Sequence, residues 1–117
     1  MTTALPTALP LDLGEEDFRT QHVTPAARLY GWLVYHAPDN RPVRAKSGRT
    51  YVQNVAAGWV DLVLLRGPRS MFVELKKNNG YPTPEQRKCH EALRSAGLYV
   101  AVWKPRMWAE ILGELTR

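Results

Sequence analysis

The fold of this chain is decided by residues 58–77, which read GWVDLVLLRGPRSMFVELKK. Residues 60–66 and 70–76 are rich in apolar side chains of strong β propensity. The tripeptide between them, Gly-Pro-Arg at 67–69, is typical of a hairpin turn. The stretch therefore predicts two antiparallel strands joined by a short turn.

Three charged residues stand out in this hairpin: Asp61, Glu74 and Lys76. Side chains alternate along a strand, so Glu74 and Lys76 are expected on the same face. Because the start of one hairpin arm lies beside the end of the other, Asp61 is expected next to both. Burial of such charges is costly unless they are paired or bind an ion.

Two carboxylates beside a lysine suit a divalent metal ion that activates water for attack on a phosphodiester. A simpler interpretation is that all three residues are exposed charges at a sheet edge, where Lys76 neutralises Glu74. The spacing alone does not choose between the two.

The residues before the hairpin predict one helix and one strand. The helix begins at about residue 14, and one of its faces carries Glu15, Phe18, His22 and Leu29. Pro25 interrupts it, so the helix either kinks there or restarts with Thr24 as its N-cap. Residues 32–36 then read as a short buried strand.

The residues after the hairpin predict a helix, a strand and a last helix. Thr83 is the N-cap of the first of these helices, Pro84 occupies its first position, and Gly97 ends it. Residues 98–103 form a buried strand, and Pro105 opens the last helix. A strand–helix–strand step favours a right-handed crossover, and thus an α/β fold with a mixed sheet flanked by helices.

Length and composition exclude several classes of protein. The chain has 117 residues, enough for one domain, with 16 Lys and Arg against 11 Asp and Glu, a net charge of +5. Its single cysteine, Cys89, excludes an internal disulfide framework and a cysteine-based zinc site. No apolar run is long enough to cross a bilayer, and residues 1–10 lack the positive charge of a signal peptide. We expect no membrane partner.

The domain organisation follows from the same pass along the chain. Residues 1–13 are predicted to form a flexible leader, and residues 14–117 a single domain. Residues 37–57 contain several turn-forming residues and no clear period, so they are predicted to form a long loop. This loop is basic, with four cations and one aspartate.

Three runs of sequence together resemble the VRR-NUC branch of the PD-(D/E)XK nuclease superfamily: GWVDLVLLR, FVELKKNNG and TPEQRKCHEALRSAGLYVAVW. The similarity extends over roughly residues 14–103 and implies a restriction-endonuclease-like α-β-β-β-α-β core. It also implies a metal-dependent endonuclease that uses Mg²⁺ or Mn²⁺ in the cytoplasm of a bacterial or phage-infected cell. The proline that usually precedes the family's aspartate is Val60 here, which affects the backbone and not the metal ligands.

The resemblance assigns roles to individual residues. Asp61 and Glu74 would bind the metal with the carbonyl of Leu75, and Lys76 would position or polarise the attacking water. A glutamine at the start of the following helix would be Gln86, and an acidic residue of the first helix would be Glu15. Both have a second interpretation: Gln86 completes a capping box, and Glu15 stabilises a helix N-terminus.

The histidines carry no metal-binding spacing. His22, His36 and His90 are therefore predicted to be packing residues, with His36, at the end of its strand, best placed of the three to contact substrate.

Positive charge lies on both sides of the predicted site in sequence. Seven cations are predicted to contact nucleic acid: Arg41, Arg44, Lys46, Arg49, Lys77, Arg87 and Lys88. Ordinary surface solubility is the simpler explanation of the same charges. Because no base-reading module is visible, structure-directed cleavage is expected. This chain is similar to stand-alone phage or prophage nucleases of the family, and that resemblance implies branched, flap or junction DNA as the substrate and a homodimer that supplies two active sites.

Two other functions are compatible with the sequence. One is a catalytically inactive nucleic-acid-binding accessory protein on the same fold. The other is a small protein-interaction module whose basic loop binds an acidic partner.

Overall fold

The fold is seen in a computed structural model that describes residues 8–38, 42–44, 46–48, 50–52 and 57–117. Its strands are β1 (Leu33–His36), β2 (Pro42–Arg44), β3 (Thr50–Val52), β4 (Leu62–Arg66), β5 (Arg69–Leu75) and β6 (Val100–Trp103). Four of them form a sheet of order β1-β4-β5-β6, in which the β5–β6 pair is parallel and the other two pairs are antiparallel. The predicted mixed sheet is confirmed.

Helices cover both faces of this sheet. They are α1 (Glu15–Asp17), a π-helical segment (Phe18–Val23), α2 (Thr24–Leu29), α3 (Pro84–Ser95), a 3₁₀ turn (Pro105–Met107) and α4 (Trp108–Thr116). The first three segments are contiguous and make up the first helix. The order first helix, β1, β4, β5, α3, β6 confirms the predicted α-β-β-β-α-β core. In the described part of the chain, no helix is long and apolar enough to span a membrane.

The central hairpin has a tighter turn than the sequence predicts. Arg66 pairs with Arg69, so only Gly67 and Pro68 form the turn, and Gly67 adopts a positive φ of 55°. The register pairs Leu62 with Val73. Asp61 therefore lies opposite Glu74, as the hairpin geometry predicts.

Of the two forms predicted for the first helix, the restart with Thr24 as N-cap is wrong. The helix neither stops nor restarts at Thr24, whose φ of −62° and ψ of −47° are helical. The π-helical segment, with its wider turn, ends at Val23, two residues before Pro25, which cannot donate a backbone hydrogen bond. This changes the buried face: Phe18 and Ala27 are buried, whereas Leu29, predicted on the same face as Phe18, is 66% exposed.

Two hydrophobic clusters hold the layers together. The larger lies between one face of the sheet, the first helix and α4, and includes Phe18, Leu64 and Trp108. The smaller lies on the opposite face beneath α3 and contains Val60, Leu93 and Val100. The sheet is thus sandwiched, and its β5 strand has helices on both sides.

The stretch predicted as a basic loop contains a two-stranded antiparallel ribbon, β2 and β3. Each strand is only three residues long, too short for alternation to be recognised in the sequence.

Candidate active site

Asp61 is fixed by backbone contacts at the start of β4. Its N–H donates to the carbonyl of Val73 at 3.1 Å, and its own carbonyl accepts from the N–H of Ala37 at 3.0 Å. Its carboxylate oxygen Oδ2 accepts from the N–H of Leu75 at 2.7 Å. The neighbouring strands thus hold this carboxylate against the end of β5.

Glu74 is buried between the sheet and α3, with only 1% of its surface exposed. Its Oε2 accepts a hydrogen bond from Nε2 of Gln86 at 3.2 Å, and its Oε1 lies 3.4 Å from Nε2 of His90. The simpler interpretation of an exposed charge at a sheet edge is therefore wrong for Glu74. Its carboxylate points inward and is oriented from α3.

Gln86 combines the two roles that the sequence left open. As part of a capping box, its N–H donates to Oγ1 of Thr83 at 3.2 Å, while its Oε1 accepts from the N–H of Thr83 at 2.8 Å. The amide nitrogen Nε2 remains available, and it donates to Glu74. The cap thereby fixes the side chain that orients the buried carboxylate.

His90 contacts the site in a way that its sequence pattern does not predict. It was predicted to be a packing residue, yet it is 3% exposed and contacts Glu74. The signal was its spacing: His90 follows Gln86 by four residues, so both lie on the same face of α3. Burial and the charge of Arg94 lower the pKa of His90, which favours the neutral imidazole.

Electrostatics set Glu74 apart. Burial, together with a hydrogen bond to Asp61 and the charge of that carboxylate, raises the pKa of Glu74 to about 9, and the charge of Lys76 opposes the rise. At neutral pH the buried carboxyl group thus keeps its proton when no cation is bound. A cation between Asp61 and Glu74 would take the place of that proton.

Lys76 and Glu15 meet at the same end of the sheet. The Nζ of Lys76 lies 4.0 Å from Oε1 of Glu15, which brings the first helix to the site. The Lys76 side chain is 12% exposed and that of Glu15 is 49% exposed. The structure thus brings together all five residues predicted to be catalytic: Glu15, Asp61, Glu74, Lys76 and Gln86.

Known structures share this architecture. A VRR_NUC domain protein aligns with a TM-score of 0.61 and 25% identity, over 89% of this chain and 88% of that chain. A second structure, a VRR_NUC domain, aligns with a TM-score of 0.60 and 25% identity, over 87% of this chain and 97% of that chain. The prediction of a VRR-NUC domain is confirmed.

With it, the restriction-endonuclease-like fold is confirmed, and the VRR-NUC relationship supports a nuclease domain family. No family model matches the sequence, and no curated protein matches it.

Gly58 brings two elements of the candidate site together. It has a positive φ of 75°, and a Cβ there would lie 2.4 Å from the backbone carbonyl carbon of Glu85. The segment that leads to Asp61 therefore runs directly against the first turn of α3. This close approach places the strand that carries Asp61 beside the helix that carries Gln86.

The cations predicted to bind nucleic acid are distributed as follows. Lys77, Arg87 and Lys88 are exposed and adjoin Lys76 and Gln86 in the sequence, and Arg87 donates to the carbonyl of Pro82 at 3.3 Å. Lys46 is exposed in the turn between β2 and β3, and Arg44 lies in β2. Arg41 and Arg49 lie outside the described residues. His36 is exposed at the end of β1, with its Nδ1 3.2 Å from Nη1 of Arg19.

The oxygen atoms of the candidate site suit a cation that needs few protein ligands. Within the described ranges, no group of three or more His, Cys, Asp or Glu residues could hold a metal. The pair Asp61 and Glu74 offers hard oxygen ligands, and Mg²⁺ is commonly bound through one or two carboxylates, with water and substrate phosphate completing its shell. This pair of carboxylates therefore fits a divalent ion of this kind.

Proposed function

We propose that this protein is a divalent-metal-dependent endonuclease that hydrolyses phosphodiester bonds of DNA. The observation that carries the proposal is the buried Glu74 carboxylate beside Asp61, with the Lys76 ammonium group at the same end of the sheet. A fully buried acid next to a second acid is unfavourable as an anion unless a cation binds.

Each residue has a role in this proposal. Asp61 and Glu74 would hold Mg²⁺ or Mn²⁺ with the carbonyl of Leu75 as a further ligand, and the ion would supply an activated water and stabilise charge on the phosphate. Lys76 would place its ammonium group near the charge that develops in the transition state. The contact with Glu15 limits where that ammonium group lies.

Gln86 and His90 act on the reaction through Glu74. Each contacts a different oxygen of the carboxylate, so they set its orientation from α3. Groups that orient a metal ligand in this way typically change metal affinity 10- to 100-fold when removed. We assign both as positioning residues.

The substrate class rests on the exposed cations. Lys77, Arg87 and Lys88 would contact backbone phosphates, which supports affinity without sequence specificity. We therefore propose cleavage directed by DNA structure, at branches, flaps or junctions. A homodimer would supply two active sites for paired cuts at a junction, and a sedimentation mass of one chain at micromolar concentration would contradict it.

The decisive experiment measures cleavage of single-stranded, duplex, flap, splayed-arm and four-way-junction DNA with Mg²⁺, Mn²⁺ or EDTA. Asp61→Asn and Lys76→Met are expected to lose cleavage by a factor of at least about 100, since each removes a group that acts on the transition state. The control variants Asp12→Asn and Glu91→Gln change exposed residues and are expected to cut like the wild type.

Calorimetric titration with Mn²⁺ distinguishes residues that bind the metal from residues that act only in cleavage. Binding is expected to be lost in Asp61→Asn, retained in Lys76→Met, and weakened about 10- to 100-fold in His90→Ala. Wild-type protein that binds DNA but never cuts would contradict the nuclease proposal and favour the inactive accessory protein. Failure to bind any nucleic acid at low salt would favour the protein-interaction module.

A further inference from the structure

The loop between β5 and α3, residues 76–83, makes several hydrogen bonds although it is short. Asn78 donates through its Nδ2 to the carbonyl of Leu11 at 3.1 Å and accepts through its Oδ1 from the N–H of Arg106 at 2.8 Å. The N–H of Gly80 donates to the carbonyl of Lys77 at 2.9 Å. The loop is thus held in one conformation by residues from distant parts of the chain.

This loop carries an exposed aromatic ring. Tyr81 is 71% exposed. Its ring makes a cation–π contact with Lys104, whose Nζ lies 4.0 Å from the ring centroid. Lys104 itself is only 6% exposed, and in the described part of the chain no carboxylate lies within ion-pair distance of its ammonium group. A buried cation therefore supports a tyrosine ring that is largely open to solvent.

The residue before Tyr81 lies against the proposed catalytic lysine. A Cβ on Gly80, the residue before Tyr81, would lie 3.6 Å from Cβ of Lys76, so the loop folds back against that side chain. Lys104 approaches from the other strand, since it follows Trp103, whose carbonyl accepts from the N–H of Lys76 at 3.0 Å. Tyr81 thus follows a residue that lies against Lys76, and its ring contacts Lys104 at the end of the strand that pairs with Lys76.

The surroundings of the ring are basic. Residues 77–83 contain no acidic residue, Lys77 is exposed within the loop, and Arg87 binds the carbonyl of Pro82. Exposed aromatic rings in basic surroundings are the usual means by which proteins bind unpaired nucleotides, since every base has a face that can stack while cations contact the phosphates.

We propose that Tyr81, supported by Lys104, is a stacking platform for an unpaired nucleobase beside the active site. This inference rests on the proposed DNA substrate and makes it more specific: the preferred substrate has an unpaired nucleotide next to the scissile phosphate. A fully paired blunt duplex offers no base to the ring at that place and is bound through its phosphates alone.

The test is binding without metal, measured by fluorescence anisotropy in EDTA at low salt. Duplexes with and without a single-stranded tail are compared, and the tail carries 2-aminopurine, whose fluorescence is quenched when it stacks. Tyr81→Leu is expected to weaken binding of the tailed duplex about 5- to 150-fold and to abolish the quenching, with blunt-duplex binding unchanged. Tyr81→Phe keeps the ring and is expected to behave like the wild type.

The control is Tyr35→Leu, which removes an exposed tyrosine from β1, the opposite edge of the sheet, and is expected to change neither affinity. The platform is refuted if Tyr81→Leu binds the tailed duplex as the wild type does, or if tailed and blunt duplexes lose affinity equally. These readouts need no cleavage. A wild type that stacks the tail but never cuts would overturn the nuclease proposal alone, and a protein that cuts without stacking would overturn the platform alone.

Discussion

At the scale of single residues, the site depends on how the fold treats Glu74. Glu74 lies in β5, one arm of the hairpin, and a charged side chain in such a strand ordinarily faces water. Instead it lies under α3 with Asp61 beside it, and Gln86 and His90 contact its two oxygens. Burial and the neighbouring carboxylate both favour the protonated form, so ionisation of Glu74 is unfavourable in the metal-free protein at neutral pH.

The pH dependence of stability tests this arrangement. Between about pH 4.5, the ordinary pKa, and about pH 9, the unfolded chain has released the Glu74 proton and the folded chain retains it. The free energy of unfolding in EDTA is therefore expected to fall as pH rises through this window, by at most about 1.4 kcal/mol per pH unit. Glu74→Gln mimics the protonated acid, so it is expected to remove this slope and to be more stable than the wild type at pH 8.

Urea denaturation in EDTA at pH 5, 7 and 9 measures the effect. Glu91→Gln on the exposed side of α3 is the control, and we expect it to keep the wild-type slope. Identical slopes in the wild type and Glu74→Gln would contradict the raised pKa. Adding Mn²⁺ at pH 8 is expected to stabilise the wild type and not Glu74→Gln, since a bound cation replaces the proton.

At the scale of elements, the site is assembled from three separate segments of the chain that meet in the fold. The first helix contributes Glu15, the hairpin contributes Asp61, Glu74 and Lys76, and α3 contributes Gln86 and His90. Gly58 controls the contact between the hairpin and α3, because its backbone lies directly against the first turn of the helix.

Gly58→Ala is expected to lower the free energy of unfolding by about 2–5 kcal/mol. The new Cβ would meet backbone atoms at 2.4 Å, and alanine is strained at a φ of 75°. Because the same shift moves Asp61 away from α3, Mn²⁺ affinity is expected to fall as well. Chemical denaturation and calorimetry measure the two effects.

Gly113→Ala is the matched control for this substitution. Gly113 lies within α4, nothing lies within 4 Å of the added Cβ, and its φ is not positive. We expect a gain of about 0.5–1 kcal/mol, since alanine is the better helix former. A Gly58→Ala protein as stable as the wild type would mean that the hairpin and α3 separate without cost.

At the scale of the whole molecule, the net charge of +5 is the property that bears on DNA. The cations proposed to bind phosphates lie on two regions: the start of α3 with the loop before it, and the segment that contains β2 and β3. Cations that bind phosphates release counterions, so the affinity for duplex DNA depends on salt in proportion to their number.

The triple variant Lys77→Gln, Arg87→Gln and Lys88→Gln tests the first region. In a plot of log affinity against log salt, its slope is expected to become shallower by up to about 2.7, or about 0.9 for each phosphate that the variant no longer neutralises. Arg28→Gln, which removes an exposed cation from α2, is expected to leave the slope unchanged. An unchanged slope in the triple variant would mean that these cations serve solubility and not DNA binding.

Features of the fold that depend on residues close together in the chain can be predicted from sequence patterns. The hairpin register follows from one turn and from strand alternation, and it was enough to place Asp61 opposite Glu74. The start of α3 follows from the Thr83 and Gln86 capping box, which the structure contains. The charged triplet and the flanking runs were sufficient to indicate the VRR-NUC family, since these motifs lie within short stretches of chain.

Other features depend on how segments distant in the sequence pack against one another. The burial of Glu74 and its contact with His90 require α3 to dock on one particular face of the sheet, which no local pattern specifies. The π-helical segment shifts the buried face of the first helix and exposes Leu29, because packing against the sheet overrides regular periodicity. Lys104 and Tyr81 are far apart in the sequence and meet only because β6 runs parallel to β5, which brings their two ends together.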